Sequence, residues 1–159
     1  MEQSEIFVKM ALHAWNVQIG RTEKFFDSLS DEELFKQVAP GKNRIIYLLG
    51  HLIAVNDNII GLFGLGQRSY AHLDDPYVKN PDGSAFETPD PTALRNHWKS
   101  SNDELNAYFG QMSVNDWFSK HTAMTEEDFV KEPTRNKLSV LLNRTGHVAY
   151  HLGQLILAK

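Results

Sequence analysis

The stretch NKLSVLLNRTGHVAYHLGQLILA, residues 136–158, carries the main argument for the fold. Leu138, Leu141, Val148, Leu152 and Leu155 fall at helical steps, which gathers them on one face that can bury against neighbours. A second row runs beside it through Val140, Arg144, His147, His151, Gln154 and Ala158. Its middle is polar. A polar row next to a core-facing row either marks the core boundary or lines an internal site. The spacing predicts one helix over about residues 136–158, and its two histidines stand four apart.

Three more segments share this period. Val8, Leu12, Trp15, Ile19, Phe26 and Leu29 predict a first helix over about 4–29. Ser30-Asp31-Glu32-Glu33 reads as a capping box that opens a short turn of helix, which Pro40-Gly41 closes. Leu48, Leu52, Val55, Ile59 and Leu62 predict a second helix over about 44–63, stopped by Gly64 and Gly66. Asp90-Pro91 caps a third, with a seam of Leu94, Trp98, Ser101, Leu105, Tyr108 and Met112. Ser113 to Phe118 reads as another freshly capped short helix, and residues 119–135 as irregular. No segment alternates with period two, and no internal repeat or low-complexity tract stands out. The expected fold is all-α: a four-helix bundle in one domain over residues 1–159. The long connection between the second and third helices, residues 64–90, is expected to be functional or mobile, and could allow a crossover.

Composition narrows the function classes. The chain has 159 residues, 42% hydrophobic and 23% charged, as ordinary globular chains do. It has no cysteine, which excludes disulfides, thiolate metal sites and a cysteine nucleophile. The formal net charge is -4 with no cluster of Lys and Arg, so no nucleic-acid partner is expected. Met1-Glu2-Gln3-Ser4-Glu5 lacks the basic start and apolar run of a signal peptide. The apolar run from Ile45 to Val55 is short for a bilayer and is interrupted by Gly50 and His51. A cytoplasmic location without membrane association is the expectation.

His147 and His151 sit on one helical face, with Cβ atoms about 6 Å apart. Two imidazoles so placed can meet one ion at about 2.0–2.1 Å each. Seven histidines make such a spacing common by chance, so placement carries the reading: both lie mid-helix beside a leucine seam. A third ligand must come from another helix. His51 is the best candidate, mid-helix between Leu48 and Val55 and in a seven-residue row with Arg44 and Asn58. Gly50 and Gly146 each precede a histidine and are small enough for close helix approach. His13 and His97 are helical and could approach the same cavity, whereas His72 and His121 fall in loops and are expected to be solvated. Position 148 is Val, so the zinc-protease motif with its glutamate base is absent. No Glu stands three residues before a core histidine, so the di-iron carboxylate arrangement is absent too.

Gly50-His51-Leu52 and Gly146-His147-Val148-Ala149-Tyr150-His151-Leu152-Gly153-Gln154-Leu155 resemble the DinB family of damage-inducible bacterial proteins, which includes YfiT-like hydrolases. The order of helices is similar as well. The resemblance implies a four-helix bundle, His51, His147 and His151 as metal ligands, and frequent homodimers. It implies thiol-cofactor-dependent transfer or isomerisation, or metal-dependent hydrolysis, on a small-molecule substrate. At position 152 this chain has Leu where the family often has a basic residue.

The function expected is therefore that of a metal-dependent enzyme, with three neutral nitrogen ligands and an open position for the reacting group. Such an ion would acidify a water or thiol; a low-molecular-weight thiol is a second candidate cofactor, since the chain supplies none. Ligand type leaves the ion open among zinc, nickel, iron and manganese. Tyr150, Asn58, Arg144 and Gln154 are near the ligands in sequence, yet none is an obvious base, and Asp57 points about 120° away from His51. The rivals are a non-catalytic metal-binding or stress-response bundle, its ion closed off by a fourth protein ligand, and an interaction module whose histidines only pack.

Overall fold

The computed structural model describes residues 2–84 and 86–158. Helix α1 (Gln3–Asp27) turns Val8, Ala11, Trp15, Ile19, Thr22, Phe25 and Phe26 inward. Leu12, expected in the seam, is only half-buried. Ser30 opens α2 (Asp31–Leu34) with the expected capping box: its Oγ accepts from Glu33 N–H at 3.2 Å, and Glu33 Oε2 accepts from Ser30 N–H at 2.8 Å. Helix α3 (Ile45–Phe63) stops at Gly64, whose φ of 67° is a left-handed conformation that glycine adopts without a Cβ penalty. Helix α4 (Pro91–Phe109) begins at Asp90, which accepts from Thr92 and Ala93 N–H. It buries Phe109, while Tyr108 is half-buried and Met112 lies beyond its end.

Ser113 builds a second capping box, with Asp116, at the start of α5 (Val114–Trp117). The stretch expected to be irregular contains α6 (Glu126–Lys131), capped by Thr125. Helix α7 (Lys137–Ile156) starts at Asn136, whose Oδ1 accepts from Ser139 N–H at 3.0 Å. The core holds Trp15, Trp98 and Trp117, each at most 1% exposed, and burying a large apolar side chain is worth roughly 1.5–3 kcal/mol. No strand occurs among the described residues, only two isolated bridges.

Those bridges expose a repeat that the sequence hides. Gln37 pairs with Arg44 immediately before α3, and Lys120 pairs with Asn136 immediately before α7. Each half therefore runs long helix, capping-box helix, bridge, long helix. Packing follows the same rule: α1 lies on α7 as α4 lies on α3, and α2 touches α3 and α4 as α5 touches α7 and α1. The four long helices are arranged in the cyclic order α1, α7, α3, α4. The diagonal steps are thus made by the two capping-box connections. The long connection after α3, long enough to allow a crossover, joins neighbours instead. Helices α3 and α7 hold corresponding places in the two halves, and they carry the three histidines.

The long connection is tied down. It forms a 3-10 turn, Ala71–Leu73, and a π turn, Asp75–Lys79, which bury Leu73 and Tyr77 against α3. Asp57, fully buried on α3, accepts from Arg68 Nε at 2.8 Å and from the N–H groups of Ser69 and Tyr70. Arg68 also forks onto Asp74 with two bonds of 2.7 Å. Further along, Asp82 clamps Arg44 through backbone N–H at 2.7 Å and guanidinium at 2.6 Å, which places a carboxylate at the positive end of α3. Removing Arg68 would leave the fully buried Asp57 carboxylate without its cation, a loss that typically costs about 3–5 kcal/mol. The segment is fastened by charge, and Asp57, as its sequence angle suggested, is engaged away from the histidines.

Helix α3 is long and apolar enough in composition to cross a bilayer, extending eight residues past the run that ended at Val55. In the fold two-thirds of that window is buried (67%), against the neighbouring helices and the connection.

Candidate metal centre

His51 from α3 meets His147 and His151 from α7 where the two equivalent helices touch. His147 Nε2 lies 3.2 Å from His51 Nε2 and 3.1 Å from His151 Nε2. All three rings are half-buried. Two nitrogens bound to one ion at about 2.0–2.1 Å stand about 3.3–3.4 Å apart at the tetrahedral angle and about 2.8–3.0 Å apart at a right angle. Both observed separations fall between those edges.

Proton positions strengthen the case. Tyr77 O lies 2.9 Å from His51 Nδ1, and a carbonyl oxygen only accepts, so that nitrogen carries the hydrogen. Gln154 Oε1 lies 2.8 Å from His151 Nδ1, while its Nε2 donates to the Tyr150 hydroxyl at 3.3 Å. With both Nδ1 atoms protonated and the rings neutral, the two Nε2 atoms present bare lone pairs. His147 can place at most one hydrogen between itself and one neighbour. At least one of the two contacts is then left with no hydrogen between its nitrogens, an arrangement that a shared cation relieves.

The rings are held neutral by their surroundings. Burial pushes the pKa of His147 down to about 4, helped by the two neighbouring imidazoles and by Arg144. Burial likewise lowers that of His51, against the Tyr77 carbonyl and with Arg144, and that of His151, against Gln154 and with His51. Neutral imidazole is the form that ligates. Tyr47 stacks on His51 with ring centroids 6.5 Å apart and donates its hydroxyl hydrogen to Asn80 O at 2.7 Å.

Gly50 has a role other than the one expected. A Cβ there would stand 2.5 Å from the Tyr77 ring, so glycine admits the residue whose carbonyl orients His51. Gly146 is exposed with open space at its Cβ direction, and it serves no close helix approach. His13 is exposed, and His97 packs against Tyr70 and His72 instead of the cavity. Among the described residues, only His51, His147 and His151 form a group that could hold a metal ion, so neither candidate fourth ligand joins it. His72 is exposed as expected, whereas His121 is half-buried and its Nδ1 has no partner.

Two orienting groups escaped the sequence. The Tyr77 carbonyl carries no side-chain signature at all. Gln154 was visible in the polar row, three residues after His151, but a hydrogen bond at that spacing is one of several fates for a glutamine.

A family model described as the DinB superfamily matches residues 14–155, and no curated protein matches the chain. The matched stretch contains all three histidines and both orienting residues.

Proposed function

Because the chain belongs to the DinB superfamily over residues 14–155, and because three imidazole nitrogens converge between its two equivalent helices, we propose that it is a metal-dependent enzyme of the DinB type. In this reading His51, His147 and His151 hold one divalent ion through their Nε2 atoms, in a single domain spanning the chain. The observation that carries it is the pairing of those nitrogens at 3.1 and 3.2 Å with two of the Nδ1–H groups already engaged elsewhere. Metal-ligating histidines ordinarily have the second nitrogen held in this way.

Three nitrogen donors without a fourth protein ligand suit a catalytic site more than a structural one. The ion would supply Lewis acidity, lowering the pKa of a thiol or water at the open position. The chain's own residues orient and shield. Tyr77 O and Gln154 fix the rings of His51 and His151, Tyr47 covers one face of His51, and Tyr150 stands at the exposed rim beside His151. No carboxylate joins the cluster among the described residues, and Asp57 is committed to Arg68. That lack favours chemistry in which the nucleophile arrives as an acidified small molecule, namely thiol-dependent transfer to a small electrophile, over hydrolysis with a carboxylate base. Assembly as a homodimer belongs to the same reading. An apolar groove lined by Phe7, Met10, Phe118 and Leu142 supports it.

Elemental analysis of the purified protein beside His147→Ala tests the site, and conjugation of an electrophile with a low-molecular-weight thiol tests the activity. About one ion per chain, and metal-dependent conjugation, are expected in the wild type, with both largely lost in the variant. Equal metal content in the two proteins overturns the reading.

A further inference from the structure

Four arginines in this fold are partly buried, and three of them are neutralised. Arg44 is paired with Asp82, Arg68 with Asp57 and Asp74, and Arg95 with Asp31. Arg144 is the fourth. Among the described residues no carboxylate pairs with it, and its Nε is buried without a hydrogen-bond partner. Burial alone acts on its pKa, pushing it down, with no nearby carboxylate to push it back. The guanidinium nevertheless stands in the site's own field: it depresses the basicity of His51 and His147. On α7 it precedes His147 by three residues, one turn away on the same face.

This placement works against a cation. An unneutralised guanidinium beside three uncharged imidazoles repels the divalent ion they would hold, and no ligand of the set brings a compensating negative charge. The arrangement becomes favourable when an anion arrives and faces both positive centres. Arginine's planar fork matches a carboxylate with two parallel hydrogen bonds.

We propose that Arg144 is the anion-binding residue of this site, and that the small molecule it takes carries a carboxylate a few bonds from the atom that approaches the ion. On α7 the residues that carry the two recognition points, Arg144 and His147, stand one helical turn apart, roughly 5 Å along the axis, so a single small molecule can face both. This deepens the proposed function and rests on its metal site.

The test uses the full chain loaded with cobalt(II), whose absorption reports a sulfur ligand directly. It is titrated with 3-mercaptopropionate and with the uncharged 2-mercaptoethanol. Wild-type protein should bind the carboxylate-bearing thiol at least about tenfold more tightly, as a charge-assisted pair implies. In Arg144→Met that preference should fall to within about twofold, Arg144→Lys should keep part of it, and cobalt alone should bind the methionine variant more tightly than wild type. Equal affinities for the two thiols in wild-type protein overturn the assignment of Arg144 while leaving the metal site standing. Failure of cobalt to bind, or of both thiols to change its spectrum, removes the open metal site and this inference with it. The wild-type comparison alone decides the matter if the methionine variant does not fold.

Discussion

His51, His147 and His151 form one cluster of imidazoles, and His72 and His97, with Tyr70, form another. In the first, ring nitrogens face one another at 3.1 and 3.2 Å, and two of the three rings are fixed from behind by an acceptor. In the second, the rings meet by their faces and edges, with centroids 4.8 to 6.3 Å apart, and neither histidine is hydrogen-bonded to the other. The first cluster is built from two long helices whose positions the core fixes. The second joins α4 to the connection after α3, near the surface. Proximity of histidines therefore says little; the direction of their lone pairs, and what holds the opposite nitrogen, separates a group that could hold an ion from a packing contact.

The largest expected effect comes from exchanging one member of each cluster for alanine. His51→Ala should lower metal affinity by more than about 100-fold, since even loss of a supporting hydrogen bond commonly costs 10–100-fold. His97→Ala should leave metal content within error of wild type. Competition with a chelator measures both, and equal losses would erase the distinction.

A smaller effect should follow when the ligands stay and only the holding group goes. Gln154→Leu frees His151 Nδ1, and metal affinity should fall about 10–100-fold while the metal-free protein keeps its stability within about 1 kcal/mol. Unchanged affinity would show that the ring is oriented by packing alone.

Acid supplies the finest comparison. His147 titrates near 4 in the fold against an ordinary 6.5, so below 6.5 the unfolded chain takes up a proton that the folded chain refuses. The metal-free protein should be most stable above that value and lose stability as the pH falls from about 6.5 towards about 4. Urea midpoints across this range should drop less steeply in His147→Gln. His97→Gln should flatten the curve less, because that ring is only partly shielded, though burial lowers its pKa too. A wild-type midpoint that does not move with pH would contradict the burial of the first cluster.

Much of this was legible along the chain. Ser30, Gly64, Asp90 and Ser113 marked helix ends through local backbone chemistry, and the ends lie within about two residues of where those residues place them. His51, His147 and His151 stood out because helical spacing is local and the mid-helix setting is visible in composition. The correspondence of the two halves was not legible. Its marks are two capping boxes and two single-residue bridges, and a bridge is made by backbone groups that leave no side-chain pattern.

The sequence by itself determined the four long helices, several of their ends and two histidines on one face, since all of these depend on residues within a turn or two of each other. Tertiary structure alone decided that α3 and α7 meet and that the Tyr77 carbonyl reaches His51 through the space Gly50 leaves. It also decided that Arg144 stays without a carboxylate among the described residues. Those facts depend on where the core sets one helix against another. Backbone oxygens and missing partners leave no trace in a residue pattern.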